Sequence, residues 1–130
     1  MPSHHTDRIS EDILRELTAI LRTVKDPRVS EQLAGGRLSV VRAEVARDLG
    51  SAKIYISSID GLDAAKEAVK GLVSAAGYVR RQLGQALALR HTPELRFIAD
   101  NSIAHSAEIA EKLNKLQIAD GKVQMDDEPL

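Results

Sequence analysis

Residues 62–93 read LDAAKEAVKGLVSAAGYVRRQLGQALALRHTP, and the way this stretch divides decides the fold. Leu62, Ala65, Val69, Leu72, Val73 and Ala76 recur at steps of three and four, which places them on one helix face, with Lys66, Glu67 and Lys70 on the other. The same phase does not continue into Val79, Leu83, Ala86 and Leu87. One unbroken helix is therefore excluded. Gly77, which lacks the Cβ that restrains its neighbours, marks the expected kink or tight turn. The spacing predicts one helix from about residue 63 and another from 78 to about 89, closed by Thr92-Pro93.

Upstream, Ile9, Ile13, Leu14, Leu17, Ile20, Leu21 and Val24 form a second helical stripe over residues 6–24. Thr6 or Asp7 can supply the N-cap oxygen, Asp26-Pro27 stops the helix, and a loop containing Gly35-Gly36 is expected next. Residues 37–47 then read as a strand whose alternation breaks between Val40 and Val41, the mark of a bulge or a change of face. Asp48-Leu49-Gly50-Ser51 is turn chemistry, and residues 52–58 alternate Ile54 and Ile56 inward with Lys53, Tyr55 and Ser57 outward, which completes a hairpin.

Downstream, Leu95, Phe97 and Ala99 alternate with Arg96 and Ile98 as a third strand. Asn101 or Ser102 is the expected cap of a last helix carrying Ile103, Ala107, Ala110, Leu113 and Leu116. Residues 6–117 are thus read as one domain, 1–5 as a flexible N-terminus and 118–130 as a disordered acidic tail, too polar to bury anything. The fold class is α+β, with helices on one face of a three-stranded sheet and an added C-terminal helix.

Composition narrows the function classes. Without cysteine there is no disulfide framework and no Cys-based zinc site, which suits a reducing compartment. Met1-Pro2-Ser3-His4-His5 has neither the basic flank nor the apolar run of a secretory segment, so the expectation is a cytoplasmic protein that does not enter a membrane. The net charge of −1 hides an asymmetry: residues 1–96 hold 15 Lys and Arg against 12 Asp and Glu, residues 97–130 hold 3 against 7. Residues 68–93 contain Lys70, Arg80, Arg81 and Arg90 and no carboxylate, so a local positive field survives there.

A catalytic reading finds little. His91, Asp100, Ser102 and His105 straddle a strand and a helix start, where a capping duty suffices for Asn101 or Ser102. His4 and His5 are adjacent and cannot converge on one metal as helix neighbours four apart would. We expect no cofactor, no metal, no enzymatic activity and a monomer.

The element order α-β-β-α-kink-α-β is that of the type II K-homology fold. Four landmarks share an order and spacing: Lys25-Asp26-Pro27-Arg28, Arg47-Asp48-Leu49 with Ala52-Lys53-Ile54-Tyr55, Ala75-Ala76-Gly77, and Pro93-Glu94-Leu95 to Asp100-Asn101-Ser102. On these, from residue 8 to about 116, the chain resembles the ribosome-binding factor A family. The resemblance implies an assembly factor that binds the small ribosomal subunit and its rRNA, with a part in rRNA processing and cold adaptation. Ordinary K-homology domains place Gly-x-x-Gly against RNA phosphates, and this sequence has none. The family carries an Ala-x-Gly kink there, matched by Ala75, Ala76 and Gly77.

Helical residues turn by about 100°, so Gly77, Arg81, Gly84, Gln85 and Ala88 fall opposite Val79, Leu83 and Leu87, a low strip that a phosphate backbone can approach. The candidate RNA surface is Lys70, Ser74, Ala75, Ala76, Gly77, Arg80, Arg81, Gly84, Gln85 and Arg90. Against it stands the plainer reading that Gly84 and Ala88 permit tight helix packing. Arg42, Arg47 and Lys53 on the hairpin form a second candidate patch, equally readable as solvated charge. Tyr55, Tyr78 and Phe97 are the only aromatic residues, too few for a platform that stacks several bases. Phe97 is read as core, and Tyr78 at the kink as packed with its hydroxyl at the surface, the alternative being that it stacks on a nucleotide. The rival function is a protein-interaction module without RNA contact.

Overall fold

Ile13 and Leu17, one helical turn apart, are fully buried, and Ile20, Leu21 and Val24 continue their line into the core. In the computed structural model, which describes residues 4–119, this stripe lies on α1 (His4–Ile20) and a 3₁₀ turn (Leu21–Thr23). Then follow α2 (Pro27–Ala34), β1 (Leu38–Val45), β2 (Ser51–Ser58), α3 (Leu62–Ser74), α4 (Ala76–Leu87), β3 (Glu94–Asp100) and α5 (Ser102–Ala119). Apart from the extra α2, this is the type II K-homology order with a C-terminal helix.

The sheet runs β1-β2-β3. β1 and β2 are antiparallel, and their register shifts between Val40 and Arg42, where the broken alternation placed a bulge. β2 and β3 are parallel, which requires a crossover, and α3 with α4 supplies it. Ile54 and Ile56 on the central strand are fully buried and meet Leu72, Val79 and Leu83 from the crossover helices and Leu17 from α1 in one core.

Several expectations are corrected. α1 begins at His4, so Thr6 is buried inside the helix and is not its cap. Residues 1–3 lie outside the described residues. The expected loop before β1 contains α2: Asp26 stands in extended geometry and accepts the Arg28 N–H at 2.9 Å, with Pro27 in the first helical position. The pair that stops one helix starts the next, because proline lacks only an N–H that a first turn leaves unused.

α3 buries part of the face read for it, through Ala65, Leu72 and the partly buried Val69, but the buried side is rotated away from Leu62 and Val73 toward Ala68 and Gly71. Leu62 is 38% and Val73 60% exposed, whereas Ala65, Ala68, Gly71 and Leu72 are buried. Close approach governs this helix more than side-chain bulk. A Cβ on Gly71 would lie 2.9 Å from both Asp26 Oδ1 and Val29 Cγ2, so α2 and α3 meet at a spacing that only glycine permits.

The break between helices falls at Ala75 (φ −97°, ψ 10°), two residues before the expected Gly77. α4 ends at Ala88, which adopts the left-handed conformation at φ 51°, ψ 42°. α5 is not capped by Asn101 or Ser102 side chains. Asp100 Oδ2 accepts the Ser102 N–H at 2.8 Å, and Ser57 Oγ accepts the Ile103 N–H at 3.1 Å. The Ser102 hydroxyl and N–H hold the Asp100 carboxyl below the usual carboxylate range. Ile109, Leu113 and Leu116 of α5 are exposed. Of the expected acidic tail, residues 118 and 119 belong to α5 and residues 120–130 lie outside the described residues.

Candidate nucleic-acid interface

Three cations of the acid-free stretch, Arg80, Arg81 and Arg90, gather beside α4. No side chain caps this helix, so N–H groups of its first turn stay available. Gly77 is exposed and nothing lies within 4 Å of where its Cβ would be, which leaves bare main chain at the surface. Gly77, Arg80, Arg81, Arg90, His91 and Thr92 line one shallow depression of about 400 Å³.

The three arginines differ in what holds them. Arg80 folds back onto the loop after α4, donating to the Thr92 carbonyl from Nε at 3.3 Å and Nη2 at 2.7 Å. Arg81 and Arg90 are exposed and make no ion pair among the described residues. The loop that carries Arg90 is fixed against α4 at a second point, since the Leu89 N–H reaches the Gly84 carbonyl at 3.1 Å. Gly84 lets this happen: its Cβ would fall 2.5 Å from Thr92 Oγ1, so the structure places Gly84 in close packing. Gln85 is exposed beyond it, and Ala88 forms the helix end.

The other candidates sit around the break. Ala75 and Ala76 are half-buried at the joint itself. Ser74 accepts a 3.3 Å hydrogen bond from Arg28 Nη2. Lys70 is exposed one turn earlier and pairs with Glu67 at 2.9 Å, which reduces the charge it offers. The hairpin residues form a separate group that does not line the depression. Arg42 lies 4.3 Å over the Tyr55 ring and pairs with Glu44 at 3.3 Å. Lys53 is exposed on β2 opposite Glu44, and Arg47 is exposed in the turn.

Reading the residues missed a clamp behind the break. Asp26 accepts from Arg28 Nε at 3.0 Å and Nη2 at 2.7 Å while Arg28 also reaches Ser74, so α2 is tied to the end of α3. Asp-Pro followed by Arg is the available signal, because the aspartate can cap and ion-pair at once. These Arg28 hydrogen bonds, side chain first and then main chain, lower the Asp26 carboxyl from 3.8 to about 2. A carboxyl depressed in the folded state contributes stability that is complete above the unfolded value and lost as pH falls through the folded one. The denaturation midpoint of Asp26→Asn is therefore expected to lie below that of the unaltered protein at pH 7, with the gap closing between about pH 4 and pH 2. A gap constant over that window contradicts the assignment.

Among the described residues, no group of three or more His, Cys, Asp or Glu is placed to hold a metal, and no helix is long and apolar enough to cross a membrane. Residues 5–113 match the family model for ribosome-binding factor A. The chain belongs to the ribosome-binding factor A family. Ribosome-binding factor A of Lachnospira eligens is 40% identical over 93% of this chain and 92% of that protein. A Thermotoga maritima protein solved by NMR, provisionally identified as ribosome binding factor A, superposes with a TM-score of 0.64 at 26% identity, over 75% of this chain and 89% of its own. The Thermus thermophilus ribosome-binding factor A, as a homology model fitted into a cryo-EM map of its complex with the 30S subunit, gives a TM-score of 0.54 at 19% identity. It covers 68% of this chain and 88% of its own.

Proposed function

We propose that this protein is a cytoplasmic, monomeric, non-enzymatic assembly factor that binds the 30S subunit and its 16S rRNA during late maturation, assisting rRNA processing and adaptation to cold. The observation that carries the reading is the depression at the start of α4, where Arg81 and Arg90 stand unpaired among the described residues beside the open main chain of Gly77. Guanidinium groups and free N–H groups suit phosphate oxygens, and neither reads a base sequence. Specificity then comes from the folded ribosomal surface. The 30S complex of the Thermus thermophilus relative supports the choice of subunit. A factor that prefers one conformation of a partly folded RNA shifts its assembly without any chemistry. Lys70, Ser74, Ala75, Ala76, Arg80, Gly84 and Gln85 shape and support this surface, and Arg42, Arg47 and Lys53 form a weaker second patch.

Co-sedimentation with immature small subunits, mature small subunits and large subunits, at two salt concentrations, tests the proposal. Retention on small subunits that falls with salt is the expected result, and equal retention on all three particles overturns it. A protein-docking role has one observation in its favour, the exposed Ile109, Leu113 and Leu116 of α5. Apolar docking predicts retention that barely responds to salt.

A further inference from the structure

Thr23, Val24, Lys25, Asp26, Ala75 and Tyr78 line a second cleft, of about 450 Å³, where the 3₁₀ turn after α1 meets the α3–α4 break. We propose that this cleft receives one unpaired nucleobase from the RNA strand whose phosphates face Arg81 and Arg90. The proposal rests on the function argued above and adds a base-accepting subsite to it.

Position is the first argument. Ala75 and Tyr78 belong to this cleft, while Gly77, Arg80 and Arg81 belong to the cationic depression, so the two recesses share the first turn of α4. A strand that lies across the bare main chain of Gly77 turns its phosphates to the arginines on one side and has a second recess within reach on the other, whose one carboxylate, Asp26, is paired with Arg28.

Chemistry is the second. Val24, Ala75, the Tyr78 ring and the methylene stem of Lys25 offer apolar contact to a flat ring, and the volume lies within the range of small-ligand sites. The Thr23 hydroxyl donates to the Ile20 carbonyl at 2.7 Å, so in its 2.6 Å hydrogen bond with Tyr78 the phenol is the donor. Both O–H groups are thereby used, and both oxygens keep lone pairs for an outside donor. The N–H groups of a base edge can donate to these oxygens, whereas an aliphatic side chain from a protein partner leaves them idle. Lys25 is exposed at the rim without an ion pair among the described residues, which matches a polyanionic strand.

The test compares equilibrium binding, at low salt, of a short mixed-sequence single-stranded RNA and of the same strand with abasic sugars, using the full chain. Tyr78→Ala is expected to weaken the RNA about tenfold and to leave the abasic strand unchanged. Because Tyr78 packs against the core, Thr23→Val combined with Tyr78→Phe serves as a variant that keeps the volume. It is expected to give a smaller loss, again confined to the strand that has bases. Arg81→Glu with Arg90→Glu weakens both probes. Equal affinity of the unaltered protein for the two strands, or an equal loss on both from the volume-preserving variant, overturns the base subsite and leaves the phosphate reading standing. Failure of the unaltered protein to bind either strand overturns both.

Discussion

Arg81→Glu combined with Arg90→Glu weakens binding to the small ribosomal subunit by about a hundredfold while leaving the fold intact. The size follows from what each side chain offers. A charge-assisted hydrogen bond contributes about 1.5–3 kcal/mol, so removing two costs about 3 kcal/mol at the lower bound, which is a hundredfold in Kd. Reversal adds repulsion to the loss. Both side chains are exposed and take part in no ion pair among the described residues, so the expected change in folding stability is within about 0.5 kcal/mol. Arg80→Glu differs in kind: it removes the two hydrogen bonds to the Thr92 carbonyl and loosens the loop that presents Arg90. Affinity measured beside a thermal melt separates the two cases, and an unchanged Kd for the double variant removes the depression from the binding site.

The largest effect on stability is expected at Ile54. It is fully buried on the central strand, paired in register with Ala43 on β1 and Phe97 on β3, and joined in the core to residues from four helices. Ile54→Ala removes three carbons from a site closed on every side, and such truncations cost about 2–5 kcal/mol. A domain of this size is held by about 5–15 kcal/mol, so a large part of the total is lost and the urea midpoint falls accordingly. Leu113→Ala on α5 provides the contrast. Leu113 is 55% exposed, and its truncation is expected to change stability by less than about 0.5 kcal/mol. Comparable shifts for the two variants contradict the packing described for α5.

Most of the sheet was legible because a strand has a period of two. Ile54 and Ile56 announce the buried face, and the failure of alternation at Val40 and Val41 appears in the structure as the register shift, whereas Ser57, read as outward, is fully buried where its hydroxyl accepts the Ile103 N–H of α5. Helix content was less legible where the signals are doubled or silent. Pro27 reads as a stop, yet with Asp26 as cap it also starts α2, and eight residues are too few for periodicity to show. The break at Ala75 has no mark in the sequence, since alanine tolerates both helix and the joint, and the glycine that drew attention lies inside α4. On α3 the small residues Ala65, Ala68 and Gly71 share the buried face with Leu72, so a search for large apolar side chains found Leu72 but also picked out Val73, which faces solvent.

The candidate site shows the same division. An acid-free run around Arg80, Arg81 and Arg90 can be read from residue types alone, and the structure brings all three to one depression with Gly77. Which arginine is free cannot be read that way. Arg80 and Arg81 are neighbours of identical chemistry, and the difference arises from a turn of about 100° and a carbonyl at Thr92. Gly84 was readable as access or as packing, and the Thr92 hydroxyl beside it decides for packing. His91 and Thr92 enter the depression because the loop after α4 folds back, a tertiary event with no local signature.

The most direct test of the account is the salt dependence of the affinity for purified small subunits, measured for the unaltered protein and for Arg81→Ala. Phosphate contacts predict that log Kd rises linearly with log salt concentration, and that the substitution makes the slope shallower by about one unit. A slope near zero, or one that Arg81→Ala leaves unchanged, contradicts the claim that this arginine meets ribosomal phosphate.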